Sequence, residues 1–270
     1  MDDDYALPKG ELMRGKRGLV MGVANKNSIA WGIAAQIAAQ GGEVGLAYME
    51  SNEKRVRPLG ESINASLYTT FDAGSDESME AAFKVVEDQW GTLDFIVHAI
   101  AYADRSQIKG SFVENATRAG FAQAMDISAY SFVDAARRAS RLMGRGGSMI
   151  TLTYLGAERA IPNYNTMGVA KAALEAATRY IARDLGPAGI RVNAISAGAM
   201  RTLSLAGISG GRGMLAEGRK LSALKEDTSM EGVAGCALWL LSDLGRSTTG
   251  EVVHVDAGFH MMGLPSDEDA

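Results

Sequence analysis

Short apolar runs of strand length alternate with longer segments of helical periodicity through almost the whole chain, and few architectures accommodate that order. Residues 18–22 are a strand-length run, followed by a polar loop and a helical pattern over 28–40, in which Ile29, Ile33 and Ile37 recur at every fourth position. A second run, 43–48, leads into a charged stretch to Ile63. A third, 66–71, is followed by Asp72 and a helix through Trp90. Residues 93–100 make a fourth strand, 117–143 a long helical region and 148–153 a fifth strand. The segment 164–185 is rich in good helix formers, turns at Gly186-Pro187 and feeds a sixth strand over 191–195. A last amphipathic helix, 229–241, precedes a seventh strand at 251–255.

Strands separated by helix-length segments imply right-handed crossovers and a parallel sheet with helices on both faces. The expected fold is therefore α/β: a doubly wound, Rossmann-type parallel sheet of seven strands, forming a single domain over residues 1–270. The 270 residues are enough for one large core, and 47% hydrophobic with 22% charged residues is ordinary for a globular protein.

A net charge of -5 and a pI near 5.3 argue against a nucleic-acid partner held by phosphate electrostatics. Cys236 is the lone cysteine, so neither an intrachain disulfide nor a cysteine metal cluster is available, which fits a reducing cytoplasm. The opening stretch is polar and acidic, and no secretory signal is expected from it. The longest apolar runs, at 19–24 and 234–241, fall short of the ~20 residues of a helical span, so no membrane segment is expected. No metal site is apparent, and His98 reads as a core or sheet-end histidine.

The first strand, loop and helix carry Gly22-Val23-Ala24-Asn25-Lys26-Asn27-Ser28-Ile29-Ala30-Trp31-Gly32, where a dinucleotide fold places its phosphate loop, although this is not G-x-G-x-x-G. Gly22 permits a tight turn, and Ser28 can cap the helix and donate to a phosphate. The plain alternative is a capped helix after a glycine turn. The second strand ends in Tyr48-Met49-Glu50, where Glu50 would repel a 2′-phosphate; this favours NADH over NADPH, with Lys54 and Arg55 close by. Asp72 can accept from an adenine amino group beside Ala73, or simply cap the next helix. Tyr164 and Lys171 are seven positions apart, close to two helical turns, which places both on one helix face. A lysine ammonium there can stabilise a phenolate, lowering the tyrosine pKa, and can hold a ribose hydroxyl. Tyr154 stands at the end of the fifth strand, the edge that borders the ligand crevice in parallel sheets.

The stretch TYLGAERAIPNYN, the Tyr164-x6-Lys171 spacing and the GVAN-x3-SIAWG loop resemble those of the bacterial enoyl-acyl-carrier-protein reductases, a branch of the short-chain dehydrogenases. Ordinary short-chain dehydrogenases space the pair as Tyr-x3-Lys. Similar segments run from Lys16 to His260, including DISAYSFV, RVNAISAG and GEVVHVDAG. The resemblance implies reduction of the trans-2 double bond of an acyl thioester on acyl carrier protein, with NADH as cofactor, in type II fatty acid synthesis. It implies catalytic roles for Tyr154, Tyr164 and Lys171: Tyr164 hydrogen-bonds the thioester carbonyl, Lys171 binds the nicotinamide ribose and Tyr154 is a second active-site tyrosine. It assigns cofactor contacts to Gly22, Ser28, Ile29, Met49, Asp72, Ala73, Ala99, Ile100, Ala101, Met200, Thr202, Leu203 and Ser204, and places Ala103 beside the substrate. It also implies a homotetramer built on the long helices 117–143 and 164–183.

The chain departs from the family pattern in three places. Ala199 stands where the family has proline, which frees φ in that loop. Within an expected substrate lid at about 200–217, residues 207–213 form a glycine-rich hinge, and Ser209-Gly210-Gly211-Arg212-Gly213 replaces a more basic helix offered to the carrier. Ala223-Leu224-Lys225-Glu226 replaces a proline and arginine pair. These differences leave room for an alternative: a paralogous reductase with another acyl or carbonyl substrate. A nucleotide-binding scaffold without turnover is disfavoured by intact Tyr164 and Lys171.

Overall fold

The computed structural model describes residues 9–144, 146–202, 205 and 211–263. Its seven strands, β1 (Arg17–Met21), β2 (Glu43–Tyr48), β3 (Leu67–Thr70), β4 (Phe95–His98), β5 (Gly147–Thr153), β6 (Ile190–Ala197) and β7 (Val252–Val255), form one sheet in the order β3-β2-β1-β4-β5-β6-β7. Every pairing is parallel, with Met21 opposite both Ala47 and His98, and Thr153 opposite Ser196. The central strands are buried on both faces and their sequences are correspondingly apolar throughout. The order reverses between β1 and β4, and the crevice at the carboxyl ends of those strands is where such a sheet receives a ligand.

Helices cover both faces. On one side α1 (Ile29–Ala39) packs beside the late helix Met230–Leu241, and Ile33, Ile37, Val233, Ala237 and Leu241 close a core over Val20, Leu46 and Val97. On the other, α3 (Asp76–Trp90), α7 (Ser131–Ser140) and α8 (Asn165–Leu185) cover Leu19, Ile96 and Met149 with Met79, Phe83, Phe132 and Leu174. Full burial of a side chain such as Phe132 stabilises the fold by roughly 1.5–3 kcal/mol. Helix α3 begins at Ser75, whose hydroxyl accepts from the Ser78 amide, and ends at Gly91 with φ 69°.

The structure adds helices that the sequence reading did not name and corrects several local expectations. The charged stretch after β2 is a helix, α2 (Glu53–Ser62), whose apolar face is anchored by Val56. The fourth strand is shorter than 93–100, because Ala99 and Ile100 leave the ladder to line the crevice. Between β4 and the long helical region lie two short helices, α4 (Arg105–Ile108) and α5 (Phe112–Asn115), capped by Asp104 and Ser111. The region 117–143 is not a uniform helix: α6 (Arg118–Met125) passes into a wide π turn at Asp126–Tyr130 before α7. In that turn the Ser128 hydroxyl accepts from the Tyr102 amide and donates to its carbonyl, tying the crevice loop to the helix. Of the expected hinge 207–213, residues 207–210 lie outside the described residues, and Gly211, Arg212 and Gly213 belong to helix α9 (Gly211–Leu221); α10 is the late helix Met230–Leu241.

Candidate active site

At the carboxyl edge of the sheet, the loops after β1, β4, β5 and β6 converge on a cavity of about 620 Å³. Of the residues singled out in the sequence, Gly22, Ser28, Ile29, Ala99, Ile100, Ala101, Ala103, Tyr154, Tyr164, Lys171, Met200 and Thr202 line it together. Gly22 has φ +96°, and a Cβ there would lie 2.2 Å from the Ala99 carbonyl oxygen, so only glycine lets the first loop meet β4 this closely. Small residues at 99, 101, 197, 198 and 199 leave a cleft wide enough for flat rings.

Ser28 occupies the N-cap of α1, but its hydroxyl is used otherwise than expected. It donates to the Asn25 carbonyl at 2.6 Å and accepts from the Ala24 amide at 3.4 Å, without accepting from the helix's own N–H groups. The serine thus braces the loop, and the positive end of α1 faces the cavity through Ser28, Ile29 and Ala30.

Met49, Asp72 and Ala73 sit at the ends of β2 and β3, outside the residues that line this cavity. Met49 is exposed, Ala73 packs on the core beneath α3, and the Asp72 carboxylate accepts from the Gly74 amide at 2.9 Å. Asp72 therefore makes a local turn, while Ser75 performs the capping once open to it. Near the end of β2, the Tyr48 hydroxyl donates to Glu53 at 2.5 Å, and Arg57 is held by Glu53 while its guanidinium lies 4.3 Å from the Tyr68 ring centre. The Thr202 hydroxyl accepts from the Leu205 amide, and Leu205 and Met214 join Met200 in the wall. Leu203 and Ser204 lie outside the described residues.

Tyr164 stands at the threshold of α8 between two residues of positive φ, Asn163 (60°) and Asn165 (39°), a conformation asparagine tolerates better than most. Both asparagines are fastened to Gly110: Asn163 Oδ1 accepts from its amide at 3.1 Å, and Asn165 Nδ2 donates to its carbonyl at 3.0 Å. The NYN triplet thereby aims a buried tyrosine into the cleft. Its ring meets Tyr154 edge-on, with centres 5.0 Å apart and planes at 67°. Gly156 makes room for this ring, since a Cβ there would fall 2.3 Å from Tyr164 Cδ1.

Lys171 is buried at 6% exposure, and its Nζ donates to the Leu152 carbonyl at 2.7 Å. Loss of water pulls its pKa down to about 8, an effect opposed by the carboxylate of Glu175. Burial pushes the Tyr164 hydroxyl well above the usual tyrosine range, with smaller contributions in the same direction from Tyr154 and Glu175. This corrects the expected lowering by lysine: desolvation of the phenol dominates and keeps the proton on. Such a hydroxyl is a hydrogen-bond donor aimed at developing negative charge. Tyr154 is raised too, by burial and then by Asp256. His98 is buried between Thr151 and Ser131, at 3.0 and 2.8 Å, and burial with the nearby Lys171 charge lowers its pKa to about 3. It is a neutral core residue at neutral pH.

Sequence reasoning missed Thr153 and Glu175. Thr153 lines the cleft and donates to Glu175 Oε1 at 2.6 Å, and Glu175 is buried one helical turn past Lys171. The four-residue spacing was legible, but it looks the same as that of a solvated surface ion pair. Among the described residues, no group of three or more His, Cys, Asp or Glu could hold a metal ion.

A doubly wound parallel sheet with its ligand cleft at the switch point, a helix end facing that cleft, and a buried tyrosine and lysine carried by one helix define an oxidoreductase of the short-chain dehydrogenase class. The family model described as enoyl-(acyl carrier protein) reductase matches residues 22–260. The chain is 50% identical over 256 residues to an enoyl-[acyl-carrier-protein] reductase [NADH] of Rhizobium meliloti, covering 94% of this chain and 95% of that one. It is similar to a Bacillus cereus enzyme of the same description at 46% identity, over 94% and 100% of the two chains. The crystal structure of the Anaplasma phagocytophilum enoyl-(acyl-carrier-protein) reductase in complex with NAD superimposes with a TM-score of 0.92 at 50% identity, covering 97% of this chain and all of that one. A Bacillus cereus enoyl-acyl carrier protein reductase complex with NADP+ and an indole naphthyridinone gives 0.91 at 46% identity, over 94% and 100%. The chain belongs to the enoyl-(acyl carrier protein) reductase family.

Proposed function

We propose that the chain reduces the trans-2 double bond of an enoyl chain carried as a thioester on acyl carrier protein, with NADH as reductant, in type II fatty acid synthesis. One observation carries the reading: a buried, protonated tyrosine and a buried lysine open into the same cleft as the helix end of the first βα loop.

The residues present suit a dinucleotide. Gly22 leaves no room for a side chain against β4, the N-terminus of α1 suits a diphosphate, and Lys171 reaches the cleft. Exposed Glu50 at the end of β2 disfavours a 2′-phosphate. Met49, Asp72 and Ala73 are the proposed neighbours of the adenosine half, and Met200 and Thr202 those of the nicotinamide half. When bound, NADH supplies a hydride to the β-carbon of the enoyl thioester.

Negative charge would then gather on the thioester oxygen, where Tyr164 donates its hydroxyl hydrogen bond, and uptake of a proton from water at the α-carbon would complete the saturated thioester. Preorganisation by the NYN turn and the Tyr154 ring keeps the cost of reorienting that donor small. Lys171 has three N–H donors and spends one on Leu152, leaving two for ribose hydroxyls. Ala103 faces the acyl chain. Within the segment proposed as the substrate lid, Met200, Leu205 and Met214 line the cleft. The last turn of α9 places Arg219 and Lys220 beyond the glycine-rich stretch, available to an acidic carrier.

The enzyme acts in the cytoplasm as a homotetramer. No helix among the described residues is long and apolar enough to cross a membrane. Exposed Tyr130 just before α7 and Val133 on it, with Val169 and Tyr180 on α8, give those helices apolar outer faces suited to subunit contacts. A monomer mass in light scattering would refute the tetramer. The decisive experiment follows NADH and NADPH absorbance with a trans-2-enoyl thioester on acyl carrier protein and on coenzyme A. Rapid NADH oxidation with the carrier substrate is expected. Failure with both thioesters, in folded protein that binds NADH, would redirect the assignment to a paralogue with another acyl or carbonyl substrate.

A further inference from the structure

Helix α8 carries Lys171 and follows directly on Tyr164, and two side-chain hydrogen bonds tie it to the end of β5. Lys171 Nζ donates to the Leu152 carbonyl at 2.7 Å, and one residue on, Thr153 Oγ1 donates to Glu175 Oε1 at 2.6 Å. The next residue is Tyr154. Glu175 is 7% exposed, and a carboxylate withdrawn from water this far is costly unless its charge is used. We propose that Glu175 is a positioning residue of the cofactor site that acts through Lys171: its buried carboxylate keeps the lysine an ammonium and, through Thr153, holds α8 at a fixed setting against β5.

Donor count gives the reason such a residue is needed. An ammonium has three N–H groups and a neutral amine two, so with one spent on Leu152 the charged form has two left for ribose hydroxyls and the neutral form one. Burial favours the neutral form, and Glu175 opposes it. The other ionisable groups facing this pair offset it little. His98 on β4 is neutral, Tyr164 and Tyr154 are protonated, and Glu158, which follows β5, is paired with His254 of β7 at 2.9 Å. Arg179, the remaining charged group acting on Glu175, lies one turn further along α8, away from Lys171.

This inference rests on Lys171 meeting the cofactor, so its test uses NADH alone and no acyl substrate. The dissociation constant is measured by NADH fluorescence from pH 6 to 9.5 for the whole wild-type chain, Glu175→Gln, Glu175→Asp and Thr153→Val. Wild-type affinity is expected to decline above about pH 8. In Glu175→Gln the amide oxygen still accepts from Thr153 but carries no charge, so the decline begins about one pH unit lower and binding at pH 8 weakens about fivefold. Glu175→Asp, which keeps the charge, restores the wild-type midpoint, and Thr153→Val binds more weakly at every pH with that same midpoint. A wild-type midpoint in Glu175→Gln, or a displaced one in Glu175→Asp, would overturn the proposal. Should Glu175→Gln not fold by circular dichroism, the other two variants decide, since a shifted midpoint in either contradicts a role based on charge. Absence of NADH binding by the wild-type chain at every pH would overturn the cofactor reading itself, whereas absent enoyl reduction alone leaves this measurement intact.

Discussion

Replacing Lys171 with methionine should make the cofactor-free protein more stable while abolishing tight NADH binding. An ordinary lysine titrates at 10.5, and burial brings Lys171 to about 8. At 1.36 kcal/mol per pKa unit, holding the ammonium inside the fold costs about 3 kcal/mol. Methionine has a similar length and no charge, and it forfeits the hydrogen bond to Leu152, worth about 1 kcal/mol. The net gain expected at pH 7 is about 2 kcal/mol. Between about pH 8 and 10.5 the unfolded wild type binds the proton that the folded state has released, so wild-type stability rises with pH across that window. The advantage of the variant should therefore be complete below pH 8 and gone by about pH 10.5. Urea unfolding of both proteins at pH 7 and pH 10, at one protein concentration, measures the gap. A less stable variant at pH 7, or a gap unchanged at pH 10, would refute the assignment of a buried, costly ammonium.

Other perturbations test other parts of the site. Tyr164→Phe removes one donor to the developing oxyanion, so kcat should fall roughly 10²–10³-fold while the NADH dissociation constant stays within a few-fold; unchanged turnover would remove this tyrosine from the mechanism. Gly22→Ala forces a Cβ to within 2.2 Å of the Ala99 carbonyl at φ +96°, and the combined strain and overlap should destabilise the protein by about 2–5 kcal/mol in urea titrations. A loss below 1 kcal/mol would mean that the loop yields easily. Gly156→Ala places a methyl against the Tyr164 ring and should cost roughly 1–3 kcal/mol, with turnover reduced more than NADH affinity; equal loss of both would show that the ring is not what moves.

The periodic alternation of apolar runs was enough to determine a seven-stranded parallel sheet, because strand and helix patterns are local properties and the handedness of the crossovers leaves little choice of topology. Local chemistry also marked the Gly22 turn and the Tyr164 and Lys171 spacing, which the fold brings into one cleft. Three things depended on tertiary contacts. The Ser28 hydroxyl turned to Asn25 and away from the helix it was expected to cap, because the loop's curvature sets which acceptor is near. The helical region 117–143 was broken by a π turn whose Ser128 holds Tyr102, a contact 26 residues apart. The ionisation of Tyr164 ran opposite to the expectation from a neighbouring lysine. Spacing along a helix shows which groups are close, but their pKa values follow from how completely the other elements exclude water, and that is decided only when the sheet and helices close around them.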